Sequence, residues 1–92
     1  MLTGEAANRK LPEDFADCPS GAELKQMPLD GGALEKWCVE ANESGAVLDH
    51  GPYRKWHANG KLWVKGDHDW GERTGTWETF ADDGSSLAKA TY

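Results

Sequence analysis

From residue 45 onward, apolar and polar positions alternate in runs of about five to seven residues, each closed by a polar turn bearing a glycine. A period of two is the signature of a strand whose two faces meet different surroundings. Turn signals fall at Asn42 to Gly45, at Asn59-Gly60, at Asp69 to Glu72 and at Asp83-Gly84. Asn-Gly and Asp-Gly pairs tolerate positive φ at both central positions of a type I′ turn, so each predicts a two-residue hairpin. The pattern therefore predicts an all-β fold, an antiparallel β-meander. Two-residue turns also fix a register, with Trp56 opposite Trp63, Arg54 opposite Lys65, Phe80 opposite Leu87 and Glu78 opposite Lys89. Alternation then groups Trp56, Trp63, Phe80 and Leu87 on one face, and Tyr53, Leu62, Val64, Trp77 and Ala88 on the other. A lone sheet needs only one buried face, so either the segment from Phe15 to Val39 covers the second or that face binds something.

Between Cys18 and Cys38 the rhythm breaks down, because Pro19, Gly21, Pro28, Gly31 and Gly32 interrupt it. Only Ala33 to Glu40 reads as a strand, and a short helix over Gly21 to Met27, started by Ser20, is expected. The segment reads as an irregular N-terminal cap. Cys18 and Cys38 are the two cysteines of the chain and lack CxxC spacing, so a single disulfide is the simplest pairing. Closing a loop of this length stabilises a fold by about 3 kcal/mol in the chain-entropy model. A disulfide implies an oxidising compartment; the alternative is two reduced, buried thiols in a cytosolic protein. Residues 1–5 carry no apolar leader core, so a lost leader or a cytosolic protein is expected, with the lost leader preferred. Residues 1–14 are polar and acidic, and they read as a flexible, lipoprotein-like tether ahead of one domain at 15–92. Within it the cap spans 15–44 and two repeat units span 45–74 and 75–92.

The repeat appears when the C-terminal half is slid on itself by 24 residues: Gly51 meets Gly75, Tyr53 meets Trp77, Trp56 meets Phe80, Asn59-Gly60 meets Asp83-Gly84, and Lys65 meets Lys89. The stretches from Gly51 to Leu62 and from Gly75 to Gly84 resemble the bacterial MORN repeat variant, with its glycine, two spaced aromatics and Asn/Asp-Gly turn. The linking stretch from Gly66 to Gly75 also fits, with His68 where that family carries Tyr or Phe. The resemblance covers residues 45–92 and implies an open β-meander used for protein contacts; bacterial members are also labelled antitoxin components. Cys18-Pro19-Ser20-Gly21 and Trp37-Cys38 are similar to a cysteine-bearing lead-in of secreted relatives. A weaker similarity joins Gly75-Thr76-Trp77, Phe80 and Asp83-Gly84 to cell-wall repeats that cage choline.

Composition narrows the job further. A chain of 92 residues with a mean hydropathy of -0.74 has no apolar run long enough to span a bilayer, so no direct membrane insertion is expected. Sixteen acids against ten bases leave a net charge of -6, which argues against nucleic-acid binding. Residues 51–66 nevertheless hold Arg54, Lys55, Lys61 and Lys65 without an acid. Asp67-His68-Asp69 is the densest set of metal-ligand types, but alternation turns His68 away from both aspartates, so no metal or cofactor is expected. No nucleophile stands in a recognisable catalytic setting, and the chain reads as a non-enzyme. Five tryptophans are many for so small a domain, and Trp70, in a turn, is the one expected to stay exposed.

These features lead to an expected role as a non-catalytic, extracytoplasmic protein-protein interaction module, periplasmic, outer-membrane-anchored or secreted, that docks a protein or an envelope assembly. The alternatives are a module for cell-wall carbohydrate or choline, and a cytosolic antitoxin partner. The contact residues expected are Trp70, Arg54, Lys61, Trp63, Lys65, Leu87, Lys89 and Tyr92. The last strand, Ser86 to Tyr92, carries one charge and no proline, so it is expected at a sheet edge open to self-association. Proline at Ala90 is the expected block, provided that the Ala90 N–H points outward.

Overall fold

In the computed structural model of this chain, residues 18–92 are described. Six strands follow one another as a single antiparallel meander: β1 (Glu23–Pro28), β2 (Leu34–Ala41), β3 (Val47–Trp56), β4 (Leu62–Asp69), β5 (Glu72–Phe80) and β6 (Ser86–Thr91). The expected all-β meander is the fold, and the Cys18–Cys38 disulfide is formed. The tether expected over residues 1–14 lies outside the described residues.

Strand β1 corrects the helix expected over Gly21 to Met27. It pairs along its whole length with β2, from Glu23 opposite Val39 to Pro28 opposite Leu34. That ladder outweighs the helix preference of Leu24, Lys25 and Gln26, since local propensity yields readily to tertiary pairing. Residues 23–41 thus widen the sheet instead of covering one of its faces. Among the described residues ahead of β2, the irregular part of the expected cap shrinks to residues 18–22 and a connection with one 3-10 turn at Asp30–Gly32.

The turns fall where the glycines place them, but with another geometry. The Gly60 N–H bonds to the His57 carbonyl at 2.8 Å, and His57 N–H to the Lys61 carbonyl at 2.8 Å. Positive φ belongs to Gly60 alone (88°), and the pattern recurs at Gly45 (90°) and Gly84 (95°). These are three-residue loops closed by a glycine, not two-residue type I′ turns. Asn42, Asn59 and Asp83 brace them by accepting backbone N–H bonds from Ser44, Lys61 and Ser85. Among the four turns that the sequence marks, positive φ at two successive residues occurs at Trp70 (47°) and Gly71 (91°).

The extra loop residue corrects the expected register at the hairpin ends. Trp56 stands opposite Leu62, not Trp63, and Phe80 opposite Ser86, not Leu87. A β-bulge in each hairpin then restores Arg54 opposite Lys65 and Glu78 opposite Lys89. Trp63 is the inserted residue, and the Lys55 ammonium lies 4.6 Å from its ring centroid. It therefore shares the face of Lys55, and the expected grouping of Trp63 with Trp56 fails.

The described residues form a single layer, 40 × 38 × 21 Å, so each of its faces buries only a small patch. Trp56 is 2% exposed, with the Lys36 ammonium 5.9 Å from its ring centroid; Trp77 is 7% exposed. Tyr53 and Trp56 lie three residues apart on β3 and so point to opposite faces. The loops of the two hairpins are tied together: His57 Nε2 donates to the Phe80 carbonyl at 2.9 Å, and Asn59 Nδ2 to the Asp82 carbonyl at 2.7 Å. The disulfide holds Pro19 against Gly51, where a Cβ would lie 2.7 Å from the proline ring.

Strand β6 is an edge of this sheet, as expected. The proline test is not: Tyr92 N–H donates to the Gly75 carbonyl at 2.9 Å, and alternate residues share that orientation. The Ala90 N–H therefore faces β5, and those of Lys89 and Thr91 face outward.

Candidate functional site

On the Tyr53 side of the sheet, β3 to β6 enclose a hollow of about 530 Å³. Its floor exists because β4 has a glycine where the neighbouring strands have rings. A Cβ at Gly66 would collide with the Trp77 indole, which lies across that position. Tyr53, opposite Gly66 on β3, stacks on Trp77 with ring centroids 5.3 Å apart. His68, two residues along β4, meets both rings edge-on, at 5.8 Å from Tyr53 and 5.0 Å from Trp77. The indole is anchored by Trp77 Nε1 donating to the Asp67 carbonyl at 3.1 Å, and the phenol by Tyr53 O–H donating to Glu35 at 2.5 Å.

Arg73 closes the hollow from β5. Its guanidinium lies 4.4 Å from the Trp77 ring centroid and 5.7 Å from that of Tyr92, and it donates to the Tyr92 hydroxyl at 3.0 Å. The side chain is exposed nonetheless. Lys55 is a further cation lining the hollow, and among the described residues Asp49 is its one carboxylate side chain.

Burial favours the neutral forms of the titrating groups of this floor. Burial pushes the Tyr53 phenol far above its ordinary value of 10.0, and the neighbouring Glu35 carboxylate adds to the rise. Burial also lowers His68 from 6.5, against the opposing pull of Asp49, whose carboxylate is 4.0 Å from Nε2. Nδ1 of His68 is buried without a hydrogen-bond partner among the described residues. The arrangement offers flat π faces, a neutral floor and a stacked cation at the mouth, which is the chemistry of recognition.

The residues expected at the contact surface are scattered by the fold. Tyr92 and Lys89 line the hollow. Arg54, Lys65 and Lys89 stand in one cross-strand row that also includes Lys36 and Glu78. Arg54 spends donors on the carbonyls of Tyr53 and Gly66, at 2.8 and 2.9 Å. Lys61 follows the first hairpin loop, Trp63 stacks on His57 with centroids 4.6 Å apart, and Leu87 is 65% exposed at its bulge. Trp70 is 40% exposed, its ring stacked on His50 at 4.0 Å and its backbone N–H donating to His50 Nδ1 at 3.1 Å. It borders a second hollow of about 600 Å³ with Glu40 and Glu43.

Sequence reasoning missed Arg73 and did not join Tyr53, His68 and Trp77 into one cluster. The signal was the 24-residue alignment itself, which sets Gly66 against Ala90 and so leaves a vacancy beside Trp77. Among the described residues no group of three or more His, Cys, Asp or Glu is placed to hold a metal ion. Comparison with protein-family models, with curated proteins and with solved structures gives no match to this chain.

Proposed function

We propose that this chain is a non-catalytic, MORN-like interaction module working outside the cytoplasm, which docks a partner protein in the hollow lined by Tyr53, Arg73, Trp77 and Tyr92. The observation that carries this reading is an exposed arginine lying over the Trp77 ring and bonded to the Tyr92 hydroxyl, above a preformed aromatic floor. Trp, Tyr and Arg are the side chains that dominate binding energy at protein interfaces, and here they converge on one concavity. The disulfide supports an oxidising location.

The test is site-specific photo-crosslinking in the organism's own envelope. A crosslinker at Thr79, in the hollow, is expected to trap one partner that mass spectrometry identifies. The same crosslinker at Glu78, whose side chain projects from the reverse face, is expected to trap none. Equal yields from both positions, or none from Thr79, would remove this reading.

A second reading, a small-ligand module, is favoured by Trp70, whose exposed ring shares a hollow with Glu40 and Glu43. An aromatic face beside carboxylates suits a cation. A saturable tryptophan fluorescence change with choline or wall sugars, abolished in Trp70→Ala, would support it; no change would discard it.

A further inference from the structure

We infer that the hollow receives a carboxylate carried on an extended segment of the partner, and that Arg73 is the residue that reads it. The inference rests on the docking reading above and names the chemistry of what docks. A guanidinium has five N–H donors in a planar fork that matches a carboxylate two-to-two. Among the described residues, Arg73 uses that fork for one hydrogen bond, to the Tyr92 hydroxyl. No carboxylate lies within ion-pair distance of it among those residues. Stacking on Trp77 and Tyr92 restrains the side chain before anything arrives, which lowers the ordering cost of binding.

Three further observations agree on the sign of the ligand. Lys55 lines the same hollow, its ammonium over Trp63 and likewise without a carboxylate within ion-pair distance among the described residues. Among the described residues Asp49 is the one carboxylate side chain lining the hollow, and it is directed at His68. At the floor, burial favours the neutral forms of Tyr53 and His68. The mouth is thus locally positive on a chain whose net charge is -6. That background repels long polyanions and leaves short-range pairing with an isolated acid favourable. An extended segment suits the rest of the hollow, because Val64, Thr79, Ala88 and Ala90, none of them charged or aromatic, line it on three neighbouring strands beside the rings.

The probe is a capped hexapeptide, Thr-Val-Glu-Phe-Thr-Val, titrated into the whole chain with its Glu→Gln and Glu→Lys versions, and followed by backbone and indole N–H resonances. The acidic peptide is expected to bind about tenfold more tightly than the glutamine version, the scale of one charge-assisted bidentate pair. The lysine version is expected to be weaker still, with the largest shifts at the Trp77 indole and around Arg73. Arg73→Gln should erase the advantage without weakening the glutamine peptide, and Arg73→Lys should restore only part of it. Should either variant unfold, added salt applied to the unaltered chain gives the same reading, because it must shrink the acidic peptide's advantage. Equal binding of the acidic and glutamine peptides in the hollow would overturn the carboxylate inference while leaving docking in place. Equal affinity for free glutarate or inorganic phosphate would overturn the peptide source, and silence from all the peptides would overturn the inference outright. The crosslinking test judges the docking reading separately.

Discussion

The hairpins β3–β4 and β5–β6 are copies in sequence, 24 residues apart, and share loop geometry down to the bulge, yet they bury quite different amounts of themselves. Trp56 is 2% exposed, while Phe80, its counterpart, is only half-buried. Trp63 is in contact with His57 and Lys55, while Leu87 stands 65% exposed. The repeat encodes a turn and a register, which are local properties. Burial comes from neighbours, and β3–β4 has β2 on one side and β5 on the other, whereas β6 closes the described sheet.

The largest expected difference lies between Trp56→Ala and Phe80→Ala. The first should cost about 3–5 kcal/mol and the second under about 2, measured by urea unfolding with unchanged m-values. Similar losses would mean that burial follows the repeat after all. Next come Gly66 and its counterpart Ala90. Gly66→Ala must expel the Trp77 ring and should cost about 3 kcal/mol, whereas Ala90→Gly should cost about 0.5–1. Thermal melts of the two variants check this, and the Trp77 indole resonance should move only in the first.

Gly60→Ala and Gly84→Ala should agree with each other. Both glycines have positive φ and open space around a prospective Cβ, so each substitution should cost about 1 kcal/mol. Unequal losses would show that the loops depend on more than their own residues. At neutral pH the titrations have the smallest effect, and they single out the first hairpin, because Tyr53 and His68 align with Trp77 and Tyr92. The folded His68 binds its proton more weakly than the unfolded chain does. Stability is therefore intact above its ordinary 6.5 and is lost as pH falls from there through the lowered value. Tyr53 acts at the other limit, where the unfolded phenol ionises first, so stability declines once pH rises past 10.0. His68→Gln should flatten the acid limb of a pH–stability curve and Tyr53→Phe the alkaline one.

Much of this fold is legible in the sequence, because turns and alternation are short-range signals. Asn42 to Gly45, Asn59-Gly60, Asp69 to Glu72 and Asp83-Gly84 each mark a real hairpin, and the lone cysteine pair is the disulfide. Strand β1 is not legible, since all six of its residues are exposed and no buried face imposes a period on them. Trp63 lies on the face opposite to the expected one because Asn-Gly suits both a two-residue and a glycine-closed loop, and one residue of difference flips a side chain. The site is harder to read than the fold. Arg73 follows a turn and looks like a solvated cation; only the packing of Trp77 over Gly66 gives it a ring to lie on.

The disulfide also decides how the domain would carry load. Tension applied from upstream of residue 18 does not run along the chain through β1; it crosses at Cys18 to Cys38 and enters the sheet in β2. All of β1 lies inside the closed covalent loop and bears none of that pull, so it cannot be peeled from the sheet by force on that side. In a single-molecule stretching experiment the first extension on the oxidised protein would come from β2 and beyond. Chemical reduction would release β1 as slack, adding a shorter, weaker step ahead of it. A bond that looks like a staple for a thin fold thus also serves as a mechanical bypass around its outermost strand.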